Sequence, residues 1–121
     1  DNMTRAISDI SDKLNIEIRE FTVAGIPYQR LFAHKWYIGT DQPVENKEGL
    51  AKLIDNTLKS LNDDYAVERK AALKDVFVEV IPSRAFYDFL KVKGKEGGQH
   101  KFPRVIGSMY GEWDEFVKQY K

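Results

Sequence analysis

The segment Ile16-Glu17-Ile18-Arg19-Glu20-Phe21-Thr22-Val23-Ala24-Gly25-Ile26-Pro27-Tyr28-Gln29-Arg30-Leu31-Phe32-Ala33-His34-Lys35-Trp36-Tyr37-Ile38 decides the fold. Residues 16–23 are β-like, with Ile16 and Ile18 on one face and Phe21 and Val23 on the other. That switch of parity points to a bulge or to a strand covered on both sides. Ala24-Gly25-Ile26-Pro27 reads as a turn, because glycine tolerates positive φ and proline fixes its own. Residues 28–38 form a long second strand. Tyr28, Phe32, Trp36 and Ile38 share a face with Arg30 and His34, and Leu31, Ala33 and Tyr37 take the other. So short a connection predicts an antiparallel hairpin.

Helices flank this hairpin. Before it, Met3, Ile7, Ile10 and Leu14 form one helical stripe that Asn15 breaks. After it, Asn46 is placed to cap a helix carrying Leu50, Leu53, Ile54, Thr57, Leu58 and Leu61. Asn62, Asp63 and Asp64 end that helix and open a short one reaching about residue 72. Residues 75–81 alternate Val76, Val78 and Val80 against Phe77, Glu79 and Ile81. Apolar residues on both faces predict a buried, central strand. Pro82 stops it, Ser83 is placed to cap a helix with Phe86, Phe89 and Leu90, and a last helix carries Tyr110, Trp113, Phe116, Val117 and Tyr120. The expected fold is α+β: a small mixed sheet, an antiparallel hairpin plus a third strand, covered by helices.

The chain has 121 residues, 42% hydrophobic and 31% charged, which predicts a single domain over 1–121 with a core of its own. There is no cysteine, so no disulfide and no thiolate metal site; a reducing, cytoplasmic location fits. No apolar run is long enough for a membrane span and no signal peptide is legible, so no membrane partner is expected. Asp1 stands where an initiator Met would, which predicts an excised or trimmed fragment. Nineteen basic and nineteen acidic residues cancel, which argues against nucleic acid as a partner. The balance is local, however. Between residues 91 and 104, Lys91, Lys93, Lys95, Lys101 and Arg104 face Glu96 alone, 5 − 1 = +4.

Few sequence features carry chemistry. Gly94 and Gly98 are four apart, but no Lys-Ser or Lys-Thr follows and the stretch succeeds a helix, so it is not a P-loop. His34 and His100 are the only histidines, and without cysteine they predict no metal site. Asp63-Asp64 reads as helix capping rather than an acid/base pair. Tyr28, Phe32, Trp36 and Tyr37 read as hairpin packing rather than a base-stacking platform. There remains Gly94-Lys95-Glu96-Gly97-Gly98-Gln99-His100-Lys101-Phe102-Pro103-Arg104. It is either a solvated connection or an anion clamp. In the second case Gly97 and Gly98 would let backbone N–H groups approach an anion, Lys101 would add a mobile ammonium, Phe102 would anchor the loop in the core and Pro103 would stiffen its exit.

Three segments resemble the C-terminal domain of the GH3 acyl-acid amido synthetases, of bacterial rather than plant type. Arg19-Glu20-Phe21-Thr22-Val23-Ala24 is similar to the family's first C-domain strand. Leu61-Asn62-Asp63-Asp64-Tyr65 with Arg69 resembles its LNSDYxxxR helix junction. Phe86-Tyr87-Asp88-Phe89-Leu90 and the glycine-rich stretch through Arg104 resemble its GKxGGQxKxPR ending.

The resemblance implies the lid of a larger, ATP-dependent adenylate-forming ligase, inactive alone. In such an enzyme ATP, with magnesium, and an acyl acid give an acyl-adenylate, from which an amino acid amine displaces AMP. The implied partners are an N-terminal adenylation domain of the same chain, a small acyl acid and an amino acid; no cofactor is expected in the isolated domain. Lys101 takes the place of the C-domain lysine that meets phosphate and carboxylate oxygens, and Gly97, Gly98 and Gln99 shape the phosphate loop. The alternative is a free-standing α+β binding or interaction module without catalysis.

Overall fold

A computed structural model describes residues 1–94 and 101–121 of the chain. The first helix, α1 (Asn2–Leu14), starts where the Asp1 carboxylate accepts the Thr4 N–H at 2.7 Å and stops at Asn15, which adopts the left-handed conformation. Two strands follow, β1 (Glu20–Tyr28) and β2 (Leu31–Gly39), paired antiparallel from Glu20 opposite Gly39 to Tyr28 opposite Leu31. Helix α2 (Lys47–Leu61) is capped by the Asn46 side chain, which accepts the Gly49 N–H at 2.8 Å. Asn62 alone separates it from α3 (Asp63–Ala71), and its side chain accepts the Tyr65 N–H at 3.0 Å. So Asn62 is the cap, and the expected capping by Asp63-Asp64 is corrected: both lie inside the helix and place negative charge in its first turn, where the helix dipole favours it. Strand β3 (Leu73–Ile81) then pairs parallel to β2, and α4 (Arg84–Val92), a 3-10 turn, α5 (Tyr110–Val117) and a last 3-10 turn at Lys118–Tyr120 follow.

The sheet order is β1-β2-β3, so the α+β fold with a small mixed sheet covered by helices stands. On one face, Ile7 and Ile10 of α1 and Leu50, Ile54 and Leu58 of α2 pack against Phe21, Val23, Trp36 and Ile38. On the other, Phe86 and Phe89 of α4 and Trp113 and Val117 of α5 pack with Ala24, Tyr37 and Ile81. Consecutive residues 21–24 are therefore all buried, the mark of a strand covered on both sides. Close approach explains one glycine: a Cβ on Gly39 would sit 2.6 Å from the Phe86 ring.

Three more expectations need correction. The hairpin turn is not at residues 24–27, which continue β1; it is at Gln29 and Arg30, with φ of 46° and 67°. Two positive-φ residues match the twist of the flanking strands, and Pro27 is tolerated because β1 is an edge strand. The Val-rich strand is not central but at the sheet edge, and β2 is the central one. Apolar residues on both faces of β3 do not report its place in the strand order: Val76 and Ile81, on opposite faces, are buried, while Phe77 is exposed. Ser83 makes no side-chain cap; instead its N–H and hydroxyl both donate to the Asp41 carboxylate, at 3.0 and 2.7 Å.

Candidate functional site

Helix α4 ends at Val92, the turn after it uses Gly94, whose φ of 71° suits glycine, and the description resumes at Lys101. Phe102 is buried, its ring centroid 4.9 Å from that of Phe86 and 4.7 Å from that of Trp113. The expected anchor is thus in place. Beyond it the chain runs as a strap along the outer edge of β1. The Thr22 hydroxyl donates to the Pro103 carbonyl at 2.8 Å, the Val23 N–H to the Arg104 carbonyl at 2.9 Å, and the Ile106 N–H to the Val23 carbonyl at 3.0 Å. The Arg104 guanidinium donates to the Glu20 carboxylate at 2.8 Å and lies 4.3 Å from the Phe21 ring centroid. Lys101 is exposed, one residue from the buried anchor. It helps line a recess of about 240 Å³ with Phe89, Leu90, Lys93, Phe102 and Met109.

Two of the cations of the basic stretch are ion-paired in space. Arg104 is paired with Glu20, and Lys93 with Glu112 at 2.8 Å. Gly97, Gly98, Gln99 and His100 lie outside the described residues, as do Lys95 and Glu96. Beside the apolar recess the described residues place the exposed Lys101 and the Glu112-paired Lys93, a setting suited to an anion attached to carbon. Among them, no group of three His, Asp or Glu side chains could hold a metal ion. His34 has its Nδ1 buried without a hydrogen-bond partner among the described residues, and burial, helped by the nearby Arg69 charge, lowers its pKa. The aromatic strand residues Trp36 and Tyr37 are core.

Two polar clusters were not anticipated from the sequence. On the α2 face, Asp55 accepts the Tyr65 hydroxyl at 2.7 Å and the Arg69 Nε at 3.0 Å, while Lys59 stands 3.4 Å from its second oxygen. Tyr65 and Arg69, one turn apart on α3, thereby lock α3 to α2. Burial opposes the Asp55 charge, but these partners outweigh it and lower its pKa; burial and the Asp55 bond push the Tyr65 phenol up. On the α5 face, Lys35 bridges Asp114 at 2.9 Å and Glu79 at 3.1 Å, Tyr37 donates to Asp114 at 2.6 Å, and Lys121 reaches Glu79 at 2.7 Å. A signal existed for both. Asp55 follows Ala51 by four within an apolar stripe, and Lys35 sits between Ala33 and Tyr37 on a buried strand face. A larger groove, about 520 Å³, opens between α2 and β3, with Lys47, Lys52 and Arg69 offset by Glu48, Asp55 and Asp75. Its mixed charge selects no ligand.

The described residues form a three-stranded α+β domain whose β1 edge carries the strap that follows Lys101. The GH3 family C-terminal domain matches residues 1–109, and the chain belongs to the GH3 family. Two solved structures share the fold. A GH3.15 acyl acid amido synthetase superposes with a TM-score of 0.74 at 18% identity, over 99% of this chain and 23% of that one. The AtGH3.15 acyl acid amido synthetase in complex with 2,4-DB gives 0.73 at 16% identity, over 98% and 23%. No curated protein matches the chain. The chain thus spans 23% of the length of these structural relatives. No helix among the described residues is long and apolar enough to cross a membrane.

Proposed function

We propose that this domain is the C-terminal lid of a cytoplasmic, ATP-dependent acyl-acid amido synthetase, acting with an N-terminal adenylation domain of the same chain. In the first step a carboxylate oxygen of the acyl acid attacks the α-phosphorus of ATP; the bond to the β-phosphate oxygen breaks and pyrophosphate leaves. In the second, an amino acid nitrogen attacks the acyl carbon, AMP departs and the nitrogen gives up a proton. Two anions must meet in the first step, and the Lys101 ammonium would lie between them, lowering their repulsion and stabilising the charge that develops at phosphorus.

The observation that carries the reading is the display of Lys101: exposed, next to a buried phenylalanine, at the end of a strap hydrogen-bonded to the sheet. GH3 membership supports it, since the structural relatives are acyl acid amido synthetases. On this reading magnesium and the adenine would be held by the partner domain, with Lys101 reaching them from the lid. The test is acid-dependent ATP–pyrophosphate exchange in the full-length protein. Lys101→Ala should lower it about 100-fold or more, with a smaller effect on aminolysis of a preformed acyl-adenylate. Exchange at the parental rate removes Lys101 from the chemistry.

A further inference from the structure

We infer that Arg104 is a positioning residue for Lys101, working through Glu20 and the edge of β1; the inference rests on the reading of Lys101 given above. A lysine side chain is long and flexible, so the fold can aim it only by fixing the backbone that carries it. Downstream of Lys101, that backbone is fixed by contacts to consecutive residues of one strand. Phe102 fills the aromatic core, the Pro103 carbonyl takes the Thr22 hydroxyl, and the Arg104 carbonyl takes the Val23 N–H. Arg104 adds a second grip on the same strand. Its guanidinium donates to Glu20 at 2.8 Å and to the Phe21 carbonyl at 3.3 Å, with the Phe21 ring beneath it.

The pairing separates two roles that a basic residue near an anion site could have. An arginine that binds the anion itself directs free N–H donors at it. Here Glu20, only 16% exposed, neutralises Arg104. Removing the guanidinium leaves a poorly solvated carboxylate against the strap and frees the side-chain grip, so the Lys101 Cα would shift relative to the recess. Displacements of about 1 Å in catalytic groups cost up to ~100-fold in rate.

The experiment uses the full-length protein and ATP–pyrophosphate exchange. Arg104→Gln should lower kcat roughly tenfold or more while KM for ATP and acid stay within about twofold. Thr22→Val, isosteric and confined to the Pro103 bond, should give a smaller loss of the same kind, and it decides the matter if Arg104→Gln does not fold. Both losses should vanish in the Lys101→Ala background, because a residue that acts only by aiming the lysine has nothing left to aim. Parental kcat in folded Arg104→Gln or Thr22→Val overturns the inference. So do losses that multiply with Lys101→Ala, which would mark Arg104 as an anion ligand or a purely structural residue. If Lys101→Ala itself leaves exchange unchanged, the role of the lysine falls first, and that result is distinct from either of the others.

Discussion

The Tyr37 hydroxyl and the Asp114 carboxylate meet at 2.6 Å, and the same carboxylate oxygen accepts the Lys35 ammonium at 2.9 Å. Tyr37 and Lys35 lie on the central strand, and Asp114 on the last helix. The final helix is thus fastened to the sheet by charge as well as by the Trp113 ring, which sits among Phe86, Phe89 and Phe102. Because Phe102 adjoins Lys101, the last helix supports the wall from which the candidate lysine projects.

Asp114→Asn keeps the size of the side chain and removes its charge. It should cost about 2 kcal/mol, the scale of charge-assisted hydrogen bonds lost from a partly buried cluster. Urea unfolding followed by tryptophan fluorescence measures this. A midpoint equal to the parent would show that the cluster is a solvated surface feature.

Trp113→Ala should be more damaging, about 3–5 kcal/mol, since a fully buried indole leaves a cavity among four aromatic rings. Deleting residues 110–121 should abolish cooperative unfolding altogether by exposing Tyr37, Phe86 and Phe102. A truncated chain with a sharp thermal transition would show that the segment beyond residue 109 is dispensable.

Acid should destabilise the domain in two stages. Burial lowers the His34 pKa, so the unfolded chain takes up this proton first, and stability begins to decline as the pH falls below the ordinary histidine value of about 6.5. At Asp55 and Asp114 burial opposes the charge, but hydrogen bonds from Tyr65 and Arg69, and from Tyr37 and Lys35, outweigh it and depress both pKa values. Their contribution is whole above the ordinary Asp value of about 3.9 and is lost as the pH falls through the depressed values. Chemical unfolding across that range should show the steeper limb below about pH 4. Asp55→Asn and Asp114→Asn should each flatten that limb, and a limb unaltered in both would assign acid lability elsewhere.

The stripes of α1, α2 and α5 were legible because each buries one side, so 3.6-residue periodicity survives in the sequence. The Asn46 cap was legible for the same local reason, whereas at the second junction Asn62, Asp63 and Asp64 are all good capping residues and the sequence reading favoured the two aspartates over Asn62. The hairpin turn was not. Gly25 and Pro27 carry strong turn chemistry, yet they sit in an edge strand that needs neither every N–H nor every Cβ, while the actual turn uses Gln29 and Arg30, residues without turn signature. Strand order was hidden because it depends on which edge pairs, and the side-chain pattern reports only which face is covered. At the candidate site, the Phe102 anchor could be read from a lone aromatic in a polar stretch, whereas the Arg104–Glu20 pair joins residues 84 apart and leaves no local trace.

The turn supplies its own test. Gln29 and Arg30 both occupy positive φ, where a residue with a Cβ is disfavoured by roughly 1–2 kcal/mol. Replacing the pair by Asn-Gly, the sequence preferred by such two-residue turns, should stabilise the domain by about 1 kcal/mol. Thermal unfolding would register a higher midpoint. A lower one would place the reversal of the chain elsewhere.

The last prediction concerns the nucleotide. Lys101 is exposed, Arg104 and Lys93 are already paired with carboxylates, and the adjoining recess is apolar and about 240 Å³. A screened ammonium in water attracts a triphosphate without recognising adenine. The isolated domain should therefore bind ATP no more tightly than ~1 mM, bind inorganic triphosphate comparably, and lose both as salt is raised. Calorimetry at low and high ionic strength checks each point. Micromolar binding that prefers ATP to triphosphate and resists salt would mean that this domain holds a complete nucleotide site, and its assignment as a lid over another domain's pocket would have to be abandoned.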